Sequence, residues 1–283
     1  MLKTRILTAF VLLLVFLFAL FYLPSIGWLV FATLVAAFAG WEWGALMALG
    51  MASRVALGIV TACICVVIVA LFPGAFGLAD AAQEAAWYIG RWFYFPAVGF
   101  WLLVVPVWMK SRWLLPKSVL GLLVGLVVIL PTWMALVQLK QTGGEVALVS
   151  ILAAVWIADI AAYAFGRTFG KHKLAPGISP GKTWEGAVGG GLAVIVYGFI
   201  LSPKLPSVLA ENGALLFSLL LLFTVISIIG DLFESLLKRQ AGLKDSSSIL
   251  PGHGGVLDRI DSLTSTLPLV ALVWLGTVYN AWI

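Results

Sequence analysis

Apolar runs close to the length of a bilayer-crossing helix recur along this chain, and they constrain its fold more than any other feature. A hydrocarbon core takes about 20 residues per helical crossing. The runs fall near 6–23, 27–49, 55–73, 92–109, 118–138, 146–166, 185–202, 213–230 and 264–282. Nine crossings use about 180 residues, which leaves little of the 283 for a separate soluble domain. Composition agrees, with 63% apolar and 10% charged residues, where a soluble domain carries roughly a quarter charged. The expected fold is all-α: a polytopic integral membrane protein with about nine transmembrane helices. Residues 1–145 supply the N-terminal transmembrane helices and 146–283 a C-terminal catalytic region, the two forming one membrane domain.

The cations orient these runs. With a cytoplasmic N-terminus, 14 of the 17 Lys and Arg fall in inside segments, leaving Arg91, Lys140 and Lys204 outside, the asymmetry that the positive-inside rule describes. The first run follows Lys3 and Arg5 as a secretory signal would, but it stays apolar for about 18 residues without a small-x-small cleavage site, so it reads as an uncleaved helix. Compact loops and the lack of a targeting segment point to a bacterial inner membrane. The formal net charge of +5 suits anionic lipid head groups or an anionic substrate and selects neither.

Several features serve packing. Gly121 with Gly125, and the run Gly186, Gly189, Gly190 and Gly191, place small residues where helix backbones can approach closely. Cys63 and Cys65 are small packing residues, since C-x-C without further Cys or His makes a poor metal site. Segment 74–91, with Asp80 and Glu84, reads as a short amphipathic stretch at the outer surface. Trp28, Tyr88 and Trp282 fit interfacial anchors.

In a chain this poor in charge, two inside segments hold most of the polar chemistry. The first runs from Asp159 to Glu185. Its Gly181-Lys182-Thr183 invites a Walker A reading, which fails because Pro176 stands where the pattern needs glycine and an all-helical chain offers no βαβ unit. Ser179, Lys182 and Thr183 instead precede a helix whose N-terminus offers free N–H groups to an anion. Asp159, inside a span, faces either a cavity or a pairing partner such as Arg167 or Lys171.

The second segment runs from Gly230 to Asp261. Asp231, Ser235 and Lys238 share a helix face at i, i+4 and i+7, and Asp258 and Asp261 share another at i, i+3. Two helix ends can thus present carboxylates to each other across a glycine-rich loop. Carboxylates without soft ligands suit Mg²⁺, and a solitary His253 disfavours zinc. Lys238, Arg239, Lys244 and Arg259 offer charge to phosphates, and Gly252, Gly254 and Gly255 let backbone N–H groups approach them.

The stretch Ser235 to Asp261 resembles the signature of the phosphatidate cytidylyltransferases (CDP-diacylglycerol synthases): S-x-x-K-R, four residues, K-D, then H-G-G-x-x-D-R-x-D. G-R-x-F-G-K-H-K and S-P-x-K-T-x-E-G upstream are similar to a second family region. The resemblance spans residues 159–261, with Trp41-Glu42-Trp43 a weak echo. It implies that CTP and phosphatidate give CDP-diacylglycerol and pyrophosphate, with Mg²⁺ as cofactor, a possible second cation, and a homodimer. On this reading Asp231, Asp258 and Asp261 bind metal; Lys238, Arg239, Lys244, Asp245, His253 and Arg259 serve catalysis; Ser179, Lys182, Thr183, Ser235, Gly254 and Gly255 bind substrate. The rival readings are a CTP-dependent lipid kinase, which would release CDP, and an anion transporter, for which no paired repeat is visible.

Overall fold

The computed structural model describes residues 2–79 and 84–279, with side chains from residue 6 onward. Asp80 and Trp282, and the side chains of Lys3 and Arg5, lie outside the described residues. The chain is a bundle of helices: α1 (Leu2–Tyr22), α2 (Ser25–Leu46), α3 (Met51–Leu71), α4 (Ala85–Gly99), α5 (Val105–Ser111), α6 (Val119–Phe169), α7 (Trp184–Leu201), α8 (Ser207–Glu211), α9 (Gly213–Gln240) and α10 (Leu257–Val278). Among the described residues seven helical segments are long and apolar enough to cross a membrane, and Ile6–Tyr22 forms a shorter apolar helix. Helices suit this composition because each satisfies its own backbone hydrogen bonds where lipid offers none. Exposed apolar side chains such as Phe10, Phe18, Ile59 and Val66 line the outer faces.

The 51 residues of α6 exceed one crossing. Gly144 breaks it at φ 80°, ψ 175°, a conformation open mainly to glycine. On one side of the break, the Gly121 carbonyl accepts a bond from Trp43 Nε1 at 3.0 Å; on the other, Gly166 sits against Thr183 and Gly186. Both ends of α6 therefore reach the same end of the bundle, and the two apolar runs read from the sequence are its two halves. Between α4 and α5 the helix widens to a π-turn over Phe100–Val104. Pro106 follows and lacks the N–H that a regular turn would use there.

The glycines expected to bring backbones together do so. Gly186 and Gly190 of α7 lie against the Ala162 and Ala158 carbonyls of α6, Gly189 against the Phe165 ring, and Gly125 against Trp43. Trp28 departs from its expected interfacial place. It is 2% exposed and donates Nε1 to the Leu136 carbonyl at 3.2 Å, because α2 packs inside the bundle. Tyr88 is exposed. One element was not foreseen: Lys173–Ala175 (β1) and Ser179–Thr183 (β2) form an antiparallel hairpin just before α7.

Candidate functional site

The C-terminal turns of α9, the start of α10, the hairpin and the end of α2 meet at one end of the bundle. Thr183 closes the hairpin and caps α7, its Oγ1 accepting from Gly186 N at 3.1 Å. That cap fixes the hairpin against α7 and sends Lys182 across to Asp231 on α9, with which it forms an ion pair. Asp231 also accepts a 3.4 Å bond from Ser235 Oγ, the i, i+4 partner expected from spacing.

Lys182, Thr183, Gly186 and Asp231 border a cavity of about 450 Å³ between α6, α7, α9 and the hairpin. Asp159, Ser179, Lys182, Thr183, Asp231 and Ser262 form its polar mouth, while Ala158, Ala187, Gly190 and Thr224 continue it along the helices. Thr224 precedes Asp231 by seven residues, so the cavity extends roughly 10 Å inward along α9 at 1.5 Å per residue. Asp159 belongs to this mouth. Its charged neighbours are Asp231, Lys182 and Arg259, whereas Arg167 donates to Tyr163 Oη at 3.1 Å.

Beside the cavity lies a second polar cluster, closed rather than open. Lys238 Nζ reaches Asp258 Oδ1 at 2.5 Å and Glu234 Oε2 at 2.6 Å. Asp258 Oδ2 accepts bonds from Ser246 N and Gly255 N, both at 2.8 Å, and the Ser246 hydroxyl lies 2.9 Å from it. Asp258 thus holds the loop between α9 and α10 onto the first turn of α10, where a carboxylate also faces the helix dipole. Asp261 lies between the two clusters. Its Oδ1 accepts from Ser262 N at 2.7 Å, and its charged neighbours are Asp231, Glu234 and Lys238.

The remaining candidates surround these clusters. Arg239, Lys244, Asp245 and Arg259 are exposed. Gly254 has φ +82°, and a side chain there would meet Asp258 and Asp245, as one at Gly255 would collide with Ser246 and Glu42. His253 holds the loop through its backbone, N to the Leu250 carbonyl at 2.8 Å, and its ring Nδ1 is buried without a partner. The carboxylates provide oxygen-only donors that fit a hard cation. Among the described residues, however, no three metal-binding side chains converge on one point, and Lys182 and Lys238 occupy carboxylate oxygens. Sequence reasoning did not assign Glu42, Glu234 or Ser246. Glu42 was detectable as the sole acid of the first 79 residues, and Glu234 by its i, i+4 spacing to Lys238.

Residues 3–275 match the model of the cytidylyltransferase family. A phosphatidate cytidylyltransferase of Pseudomonas aeruginosa is 40% identical over 97% of both chains. The one of Haemophilus influenzae is 50% identical over 43% of each chain, and that of Brucella suis 45% identical over 49% of this chain and 50% of its own. Similarity therefore reaches well beyond the 159–261 stretch that carried the resemblance, into the first half of the chain.

Proposed function

This chain belongs to the cytidylyltransferase family, and from that membership we infer that it is a phosphatidate cytidylyltransferase, an enzyme converting CTP and phosphatidate to CDP-diacylglycerol and pyrophosphate. One observation carries the reading: a single cavity joins a charged mouth to an apolar interior between helices. A lipid phosphate can rest at Lys182 while its chains stay among α6, α7 and α9, and a nucleotide can arrive from the aqueous side.

A phosphate oxygen of phosphatidate attacks the α-phosphorus of CTP, a new P–O bond forms, and the bond to pyrophosphate breaks. The attacking oxygen is already anionic, so no covalent protein nucleophile is needed and catalysis comes from positioning and charge neutralisation. Ser235 supports Asp231 rather than attacking. Lys182 and Ser179 bind the lipid phosphate; Lys238, Arg239, Lys244 and Arg259 neutralise the triphosphate or the lipid phosphate; Asp245 orients Lys244 or accepts a bond from the ribose or cytosine; and His253 donates to the departing pyrophosphate. A divalent cation, Mg²⁺ on this reading, would be held by one or two of Asp231, Asp258 and Asp261 together with substrate phosphates, and would supply further charge neutralisation for them.

The reading includes about nine crossings of a bacterial inner membrane, the N-terminus and the site on the cytoplasmic side, as the distribution of cations supports. Pairing of two copies belongs to it as well and is checked by the mass of the detergent-solubilised particle. The test of function is purified protein with phosphatidate, Mg²⁺ and CTP labelled at the α- or the γ-phosphorus. Label from the α-position is expected in lipid and label from the γ-position in pyrophosphate. Label from the γ-position in lipid would indicate a kinase and overturn the reading.

A further inference from the structure

Glu42 is fully buried on α2, 0% exposed, in a helix otherwise built to face apolar surroundings. A buried carboxylate is costly unless its lone pairs are satisfied. Here all four donors come from the loop between α9 and α10 and the start of α10. Ser247 Oγ and Val256 N donate to Oε1 at 2.6 and 2.9 Å; Ser246 Oγ and Leu257 N donate to Oε2 at 3.1 and 2.6 Å. Two of these are backbone N–H groups at a helix start, which otherwise lack partners. The Ser246 hydroxyl has one proton and lies within reach of both Glu42 and Asp258, 2.9 Å from the latter. A continuous polar chain therefore runs from Glu42 through Ser246 and Asp258 to Lys238 and Glu234. The end of α2 that bears Glu42 is itself anchored, Trp43 Nε1 to the Gly121 carbonyl at 3.0 Å.

We propose that Glu42 is a positioning residue for the transfer reaction: it clamps residues 246–257 so that the turn bearing Asp258, Arg259 and Asp261 faces the phosphates. The carboxylate touches neither reacting atoms nor the cavity and acts through the loop. This proposal rests on the nucleotidyl-transfer reading above.

The experiment compares wild type, Glu42→Gln, Ser247→Ala and, as a remote control, Gln138→Leu. Gln138 is also 0% exposed and bonds Tyr94 Oη and the Ala75 carbonyl, away from the site. Amide exchange of the 246–257 segment, melting temperature, kcat and KM for CTP are measured on folded, monodisperse protein. In Glu42→Gln exchange of the Val256 and Leu257 amides rises about tenfold or more. Its kcat per folded molecule falls about 30-fold or more, as expected of misplaced groups, while KM for CTP stays within about threefold. Gln138→Leu lowers the melting temperature without changing kcat per folded molecule. Ser247→Ala deletes one donor, keeps the carboxylate, and shifts exchange and kcat in the same direction to a smaller extent. Unchanged exchange, or a kcat in Glu42→Gln that falls no further than in Gln138→Leu, overturns the proposal. If Glu42→Gln does not fold, Ser247→Ala decides alone, and wild-type values of kcat and exchange there overturn it. Failure of wild type to label lipid would instead sink the transfer reading, and the exchange measurement, which needs no substrate, separates the two failures.

Discussion

Asp231 serves two neighbours at once, pairing with Lys182 across the cavity mouth and accepting a bond from Ser235. Its charge therefore matters more than its shape. Asp231→Asn keeps the volume and removes the charge, and turnover should fall about 100-fold or more, the scale on which preorganised electrostatic groups act. A circular-dichroism spectrum and an elution profile matching wild type would show that folding is intact; near-normal turnover would remove Asp231 from the metal assignment. Lys182→Ala should act differently. If Lys182 holds the lipid phosphate, KM for phosphatidate rises by about tenfold while kcat changes little, the pattern of lost uniform binding. A loss confined to kcat would place Lys182 on the reacting phosphorus instead. The side chains that form the mouth were readable as residue types, because charges are rare in this chain and each stands out. Their pairing was not: nothing in spacing brings Lys182 to Asp231 over 48 intervening positions, and only the cavity that Asp159 and Asp231 both line gives Asp159 its surroundings.

The hairpin and α7 show how local chemistry places these groups. Thr183 is buried at 6% exposure, and Thr183→Ala should cost about 1 kcal/mol through loss of its cap and loosen the hairpin that carries Lys182. Thermal denaturation in detergent and KM for phosphatidate measure the two effects. On the next turns, the glycine face of α7 lets α6 approach so closely that Gly190→Leu must push against the Ala158 carbonyl. Overpacking of this kind costs about 1–3 kcal/mol, and it should also narrow the cavity, so activity falls along with the melting temperature. The glycine spacing was legible in the sequence because close helix approach leaves a periodic trace. The hairpin was not legible: Lys173 to Thr183 is too short and too polar for alternation to distinguish strands from a charged loop. The break at Gly144 was visible only as the gap between two apolar runs, and the structure shows that the gap contains a single glycine in a conformation closed to most other residues.

Hydropathy and charge act along the chain and can be read one segment at a time, and the expected helix count and sidedness rest on them. Contacts between distant segments leave no such trace, which is why Glu42 carried no assignment. Sidedness is directly testable. With Cys63 and Cys65 replaced, a cysteine at Lys244 should react with a membrane-impermeant maleimide only in inside-out vesicles, and one at Lys204 only in intact spheroplasts. The opposite pattern would invert the orientation. The Glu42 clamp has a further consequence for how the protein is made. Its partners Ser246 and Leu257 follow it by 204 and 215 residues. At synthesis rates of about 5–20 residues per second, roughly 10–40 s pass between emergence of the carboxylate and emergence of its donors. During that interval the donors to Glu42 in the structure have not yet been made, so its carboxyl group is either hydrated or protonated, and the clamp closes only when α10 arrives.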